Sequence, residues 1–258
     1  MFTNTVDLIR QELSGLKPRA VYLCPGSDPF PPYPTVQTAT AEVVEVLAAH
    51  GVGSWLMTRG DVQVSILERL RPLADRMRFT IALPSLDARA AAMMEVNAAP
   101  PEVRLELIAR LKDMGVAVQV ALDPLIPQLN DTPEALNPLL DALAVRGVNS
   151  LTASYLFLRQ NIVEQMRIVL PGDIFSAVIT AYHDGPVLSS TGLAGARYLP
   201  RSRRQRGYAT LMALASRHGM TVKVSALTNP DFSAQRPITQ PAPSLLAAYR
   251  KSLGMVSA

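Results

Sequence analysis

The residues equipped for chemistry fall in four short turns. The first, Cys24-Pro25-Gly26-Ser27-Asp28-Pro29-Phe30-Pro31-Pro32, puts a thiol, a hydroxyl and a carboxylate in a stretch too rich in proline for regular structure. Thr58-Arg59-Gly60-Asp61 adds a guanidinium, which can grip a carboxylate with two parallel hydrogen bonds. Pro84-Ser85-Leu86-Asp87 and the run from Asp123 through Asn130 to Asp131 supply further hydroxyl, carboxylate and amide groups. Cys24 is the single cysteine, so the chain makes no internal disulfide and no metal site of several thiolates. His50, His183 and His218 are scattered without metal-ligand spacing. Asp28, Asp87 and Asp123 suit ordinary acid-base work, and three carboxylates in turns are also what chance supplies.

These turns follow β-branched runs, and helical periods separate the runs. The pattern predicts strands over 20–24, 52–58, 79–83, 116–122 and 148–153, with helices over 35–49, 61–76, 101–114 and 132–146. Such alternation is that of βα units around a parallel sheet, where ligands gather at the carboxyl ends of the strands. The expected fold is α/β, a partial (βα) barrel of parallel strands. A single amphipathic helix precedes the first strand, as though the first βα unit were missing. Beyond 153 the pattern predicts one helix over 154–170, then a Gly-, Ser- and Asp-rich loop, a helix over 203–218 and a strand over 221–227. A proline-bearing tail from 236 would end in a short helix over 244–253. The expected division is a core over 1–153, its completion or extension over 154–235, and a tail over 236–258.

Apolar residues make up 48% of the 258 residues and charged ones 18%, a globular balance that excludes a disordered chain. No run reaches the roughly 18 apolar residues of a membrane span, and no basic-then-apolar leader opens the sequence, so the cytoplasm is the expected compartment. The net charge of +4 is mild. Arg197, Arg201, Arg203, Arg204 and Arg206 form a local cluster that would track a nucleic-acid backbone or simply solvate a helix face. Tyr198 and Tyr208 are the aromatics beside it that could stack bases.

Taken in order, the turns resemble those of radical S-adenosylmethionine (SAM) proteins related to spore photoproduct lyase. Ser27-Asp28-Pro29-Phe30-Pro31-Pro32 is similar to a Thr-Asp-Pro-Tyr-Gln-Pro loop, Thr58-Arg59-Gly60-Asp61 to Thr-Lys-Ser-Asp, and Ser85-Leu86-Asp87 to Thr-Leu-Asp. Glu95 followed by Ala99-Pro100-Pro101 and Arg104-Leu105 resembles a Glu-Pro, Ala-Pro-Pro, Arg-Leu stretch, and Pro124 to Asp131 resembles Pro-Ile-Ile-Pro-Gly-Leu-Asn-Asp. The resemblance implies a barrel that binds SAM across its open top. In the family, SAM is cleaved reductively by a [4Fe-4S] cluster held on a CxxxCxxC motif. That motif is not in this sequence, and Cys24 alone cannot hold such a cluster. The chain by itself is therefore expected to do no radical chemistry. Catalysis would need a cluster-bearing segment supplied in trans, or else the scaffold serves as a cluster-free binding or interaction module. A partner or self-association is expected to cover the open edge of the first strand.

The resemblance also assigns roles, each with a plainer reading beside it. Cys24 falls near the family's hydrogen-donor cysteine; the plain reading is a small buried hydrophobe. Arg59 takes the place of the basic residue that holds the SAM carboxylate, or is a solvated loop arginine. Ser27 and Asp28 would bond the SAM amino group or make turns. Ser85 would contact ribose or cap the next helix. Asn130 would edge the adenine pocket or start a helix. Gln128 stands where the family has glycine, so a side chain occupies space near the adenine. Glu95 and Arg104 are expected to form an ion pair that fixes the loop between them, of little energetic worth if exposed.

Overall fold

The computed structural model describes residues 4–95, 97–188, 195–225 and 228–232. Helix α1 (Thr5–Gly15) leads into strand β1 (Ala20–Leu23), and then α2 (Pro34–Ala49), β2 (Gly53–Thr58), α3 (Val64–Leu70), β3 (Met77–Ala82), α4 (Ala88–Met94) and α5 (Pro101–Asp113) follow. The chain continues through β4 (Ala117–Leu125), α6 (Pro133–Val145) and β5 (Ser150–Tyr155) to a two-residue strand β6 (Phe157–Leu158). Helices α7 (Gln160–Val169) and α8 (Gly172–Tyr182), strands β7 (Val187–Leu188) and β8 (Ala196–Tyr198), helix α9 (Arg201–Ser216) and strand β9 (Thr221–Val224) complete the described elements.

Six strands form one sheet in the order β1-β2-β3-β4-β5-β9, each parallel to its neighbours. The expected parallel α/β fold is present. Sequential order with no reversal is the winding of a (βα) barrel, whereas a doubly wound sheet reverses at a switch point. Register explains why the two faces differ. Leu56, Phe79 and Val118 are partners on one face, as are Ile81, Val120 and Leu151, and all are buried in the main core with residues of α3, α5, α6 and α9. The intervening rows carry Tyr22, Trp55 and Arg78, then Met57, Thr80, Gln119 and Ser150. That face is polar and partly open: Arg78 lies 5.4 Å from the Trp55 ring centre, and Gln119 Nε2 donates to Ser150 Oγ at 2.9 Å.

Several elements depart from the sequence expectation. The stretch 154–170 is not one helix. Strand β5 runs on to Tyr155, β6 pairs antiparallel with β8, and α7 starts only at Gln160. A further helix, α8, occupies part of the expected loop, entered through Pro171 as its N-cap residue. The helix expected over 61–76 begins at Val64 and tightens into a 3-10 turn, Arg71–Arg76, at Pro72. The expected tail over 236–258, with its helix over 244–253, and the end of the strand over 221–227 lie outside the described residues.

Two buried arginines hold the upper ends of helices in the same way. Arg104 on α5 and Arg204 on α9 each stand four residues after a proline N-cap residue, Pro100 and Pro200. Each turns its Nε back to the carbonyl before that proline, Ala99 and Leu199, at 2.8 Å. Each then reaches a carboxylate, Glu95 or Asp231. Arg204 is therefore no part of a solvated face. It packs between the rings of Tyr198 and Phe232, 5.5 and 4.6 Å from their centres. Tyr198 and Tyr208 are also buried, so neither presents a ring for base stacking.

Candidate functional site

The loops at the carboxyl ends of β1 and β2 enclose a cleft of about 590 Å³ lined by Tyr22, Cys24, Ser27, Asp28, Met57 and Arg59, among others. Its walls are set by one carboxylate. Asp28 Oδ1 accepts from the Phe30 amide at 2.8 Å and from Thr58 Oγ1 at 2.6 Å, while Oδ2 accepts from the Arg59 amide at 2.6 Å. Asp28 thus sews the proline-rich loop to the end of β2, and its oxygens are committed to the protein. Thr58 Oγ1 accepts in turn from the Gly60 amide at 2.9 Å. A Cβ on Gly60 would lie 2.1 Å from the Phe30 carbonyl oxygen, which is why this turn carries glycine. From behind, Gln37 Nε2 donates to the carbonyls of Pro31 and Asp61, and Thr40 Oγ1 to that of Pro29. The sequence reading missed Gln37 and Thr40, whose signal is a pair of polar residues three apart on the buried face of α2.

Arg59 stands at the cleft with its side chain 38% exposed. Its Nε donates to Glu95 Oε1 at 2.7 Å, and the other carboxylate oxygen, Oε2, takes Arg104 Nη1 at 2.6 Å. Arg104 and Glu95 contact each other as the sequence suggested, but the pair is not exposed: their side chains are 1% and 4% accessible. Arg104 also donates to the Ala82 carbonyl at 2.7 Å. Breaking a buried pair of this kind costs about 3–5 kcal/mol, because the surviving charge keeps no partner. Two cations on one anion leave the trio with a net positive charge facing the cleft through Arg59.

The other candidates are placed as follows. Cys24 is exposed, not buried, and adopts φ 53°, in the left-handed region. Ser27 is exposed at the rim, its amide donating to the Cys24 carbonyl at 3.2 Å. Ser85 does not cap α4. Its Oγ accepts from the Asp87 amide at 3.0 Å, and Asp87 is the cap, accepting from the Arg89 and Ala90 amides. Asn130 does not start a helix either, since Thr132 caps α6. Buried to 1%, Asn130 accepts from the Ile126 amide and donates to the Pro84 and Pro124 carbonyls, so its amide ties the ends of β3 and β4 together. Gln128 keeps φ 66°, the backbone that glycine favours, with its side chain exposed. Among the described residues no group of three or more His, Cys, Asp or Glu is arranged to hold a metal.

Asp123 stands out by what it lacks. It is partly buried near the end of β4, where pairing with β5 shifts register between Leu122 and Leu125, and its side chain makes no hydrogen bond among the described residues. Burial pushes its carboxyl above the usual 3.8, with Arg59 opposing and Glu95 adding to the rise. The folded chain therefore holds this proton more tightly than the unfolded chain does, so the site costs stability as pH rises from about 4 through the raised value.

No family model matches the chain. The uncharacterized protein ORF301 of Acidianus two-tailed virus is 25% identical over 185 residues, 65% of this chain and 60% of that protein. An uncharacterized protein of Mycobacterium tuberculosis is 26% identical over 161 residues, 61% of this chain and 47% of that protein. The chain spans about half the length of the curated relatives it matches. Among solved structures, spore photoproduct lyase complexed with dinucleoside spore photoproduct superposes with a TM-score of 0.64 at 12% identity, over 85% of this chain and 66% of the lyase. A domain of pyruvate-formate lyase-activating enzyme from Bacteroides vulgatus gives 0.52 at 12%, over 80% and 98%. Streptococcus suis SuiB bound to S-adenosylmethionine gives 0.51 at 10%, over 85% and 42%. At these identities the likeness establishes the fold, which is the one these radical SAM enzymes share. Among the described residues no helix is long and apolar enough to cross a membrane.

Asp123→Asn is expected to raise the melting temperature at pH 7, with the gain shrinking toward zero below about pH 4. Thermal melts of both proteins across that range check it, and a gain independent of pH would contradict the burial argument.

Proposed function

We propose that the chain binds S-adenosylmethionine in the cleft above β1 and β2, with Arg59 pairing with the methionine carboxylate. The observation that carries this reading is the half-exposed Arg59 guanidinium, aimed by buried Glu95 and bordering a cleft of about 590 Å³. Its Nε is committed to Glu95, and Nη2 makes a long 3.5 Å contact with the Asp123 carbonyl. The Nη edge is left for the two parallel bonds that suit a carboxylate. Support from the fold neighbours is that spore photoproduct lyase is described with bound AdoMet and SuiB with S-adenosylmethionine.

A [4Fe-4S] cluster needs several thiolates, and the chain encodes Cys24 alone, so the residues present do not fit that group. We assign radical chemistry, where it occurs, to a cluster-bearing segment supplied from elsewhere and seated against the free edge of β1, which has no strand partner on that side among the described residues. The single thiol also favours a second reading, a cluster-free binding module on the same scaffold.

Calorimetric titration with SAM tests the cofactor reading: saturable binding is expected, weakened at least tenfold (about 1.4 kcal/mol) by Arg59→Gln. The absence of heat and of thermal shift at millimolar SAM would overturn it. Formation of 5′-deoxyadenosine under reducing conditions only when a CxxxCxxC polypeptide is added separates the enzyme from the binding module.

A further inference from the structure

A second cleft, of about 340 Å³, lies away from the first, between β6, β8, α7 and α8. It is lined by Leu158, Arg159, Gln160, Tyr182, His183 and Arg197, together with two aliphatic residues. Cross-strand pairing sets Leu158 opposite Arg197, which brings Arg159, the next residue, within one position of its fellow arginine.

Among the described residues neither guanidinium has an acidic partner. The Arg159 side chain makes no hydrogen bond and no ion pair among the described residues. Its guanidinium lies 5.3 Å from the centre of the Phe157 ring, and its Nε–H is buried without an acceptor. Arg197 spends only Nη1, on the carbonyls of His183 and Gly185 at 3.1 and 3.0 Å. Among the described residues no Asp or Glu lines the cleft. The ten-residue helix α7 begins at the same place, Arg159 being its N-cap residue, with no side-chain cap and no acidic residue in its first turn. The amides of that turn add to the positive field. The arginines of the first cleft and of the α9 anchor each have a carboxylate close by. Neither of these two forms an ion pair among the described residues, Asp184 pairing with His183 instead, and positive charge collected in a small cavity without a paired carboxylate leaves room for a bound anion.

We propose that this cleft binds the phosphate group of a small phosphomonoester. Two guanidiniums match the near −2 charge of a monoester at neutral pH, and the volume is that of a small-molecule pocket rather than of a track along a polymer. Forked donors suit the phosphate oxygens better than ammonium groups would. The site is independent of SAM binding.

The test is titration of the full chain with inorganic phosphate and with AMP, read by thermal shift and by phosphorus-NMR line broadening at constant ionic strength. Saturable binding is expected, weakened at least tenfold by Arg159→Gln and by Arg197→Gln, and unchanged by Arg203→Gln on the exposed face of α9. SAM titration of the Arg159 and Arg197 variants should match the unaltered chain, which also shows that they fold. Equal weakening by the Arg203 variant, no saturation by either phosphate, or tighter binding of an unphosphorylated oligonucleotide that AMP fails to displace would overturn the proposal.

Discussion

Glu95 holds two arginines on one buried carboxylate, and the shape of the upper rim depends on that. Oε2 keeps Arg104 inside, where it also donates to the carbonyls of Ala82 and Ala99, so the end of β3 and the start of α5 are fixed together. Oε1 aims Arg59 at the cleft. The backbone closes the same circuit, since the Ala99 amide donates to the Arg59 carbonyl at 2.8 Å. A carboxylate accessible to only 4% pays a large desolvation cost, and two guanidiniums with further carbonyl acceptors are what make it tolerable. The same balance explains why Arg59 is only half-buried: with Arg104 already neutralising Glu95, the second cation keeps access to water or to an anionic ligand.

Asp28 does for β1 and β2 what Glu95 does for β3 and α5. By accepting three bonds it fixes the proline-rich loop against Thr58 and Arg59 without any regular structure in the loop itself. Asn130 does the same between β3 and β4. Three of the polar residues singled out at strand ends are thus loop anchors, and Arg59 is the one whose charge is left facing open space. The chemistry of the cleft rests on residues held by these anchors more than on the anchors themselves.

Much of this was legible in the residues. The five strands read from β-branched runs are all present in the parallel sheet, and the Pro-Pro-Glu opening of α5 starts a helix as such openings do. The errors have physical causes. Ser85 and Asp87 are both capping types two positions apart, and only geometry shows that the first bonds the second. Leu156 to Arg159 carries no turn signal, so a two-residue strand paired only to distant β8 was invisible in a local pattern. Arg204 could not be told from its neighbours, because α9 carries arginines on several sides and the partners that bury one of them, Asn229 and Asp231, lie 25 and 27 residues on. Asp123 looked like a loop residue after a strand ending at 122. The strand in fact continues through Pro124 to Leu125, so the carboxylate sits within the strand and not in a loop after it.

If the anchored loops form the cofactor site, ligand should tighten them and leave the sheet alone. Hydrogen exchange of the full chain, with and without saturating SAM, measures this most directly. The expected result is slowed exchange at the amides of 24–33, 59–61 and 97–99, with strands β3 to β5 unchanged. Exchange in those loops that is indifferent to SAM, or protection confined to other parts of the chain, would contradict it.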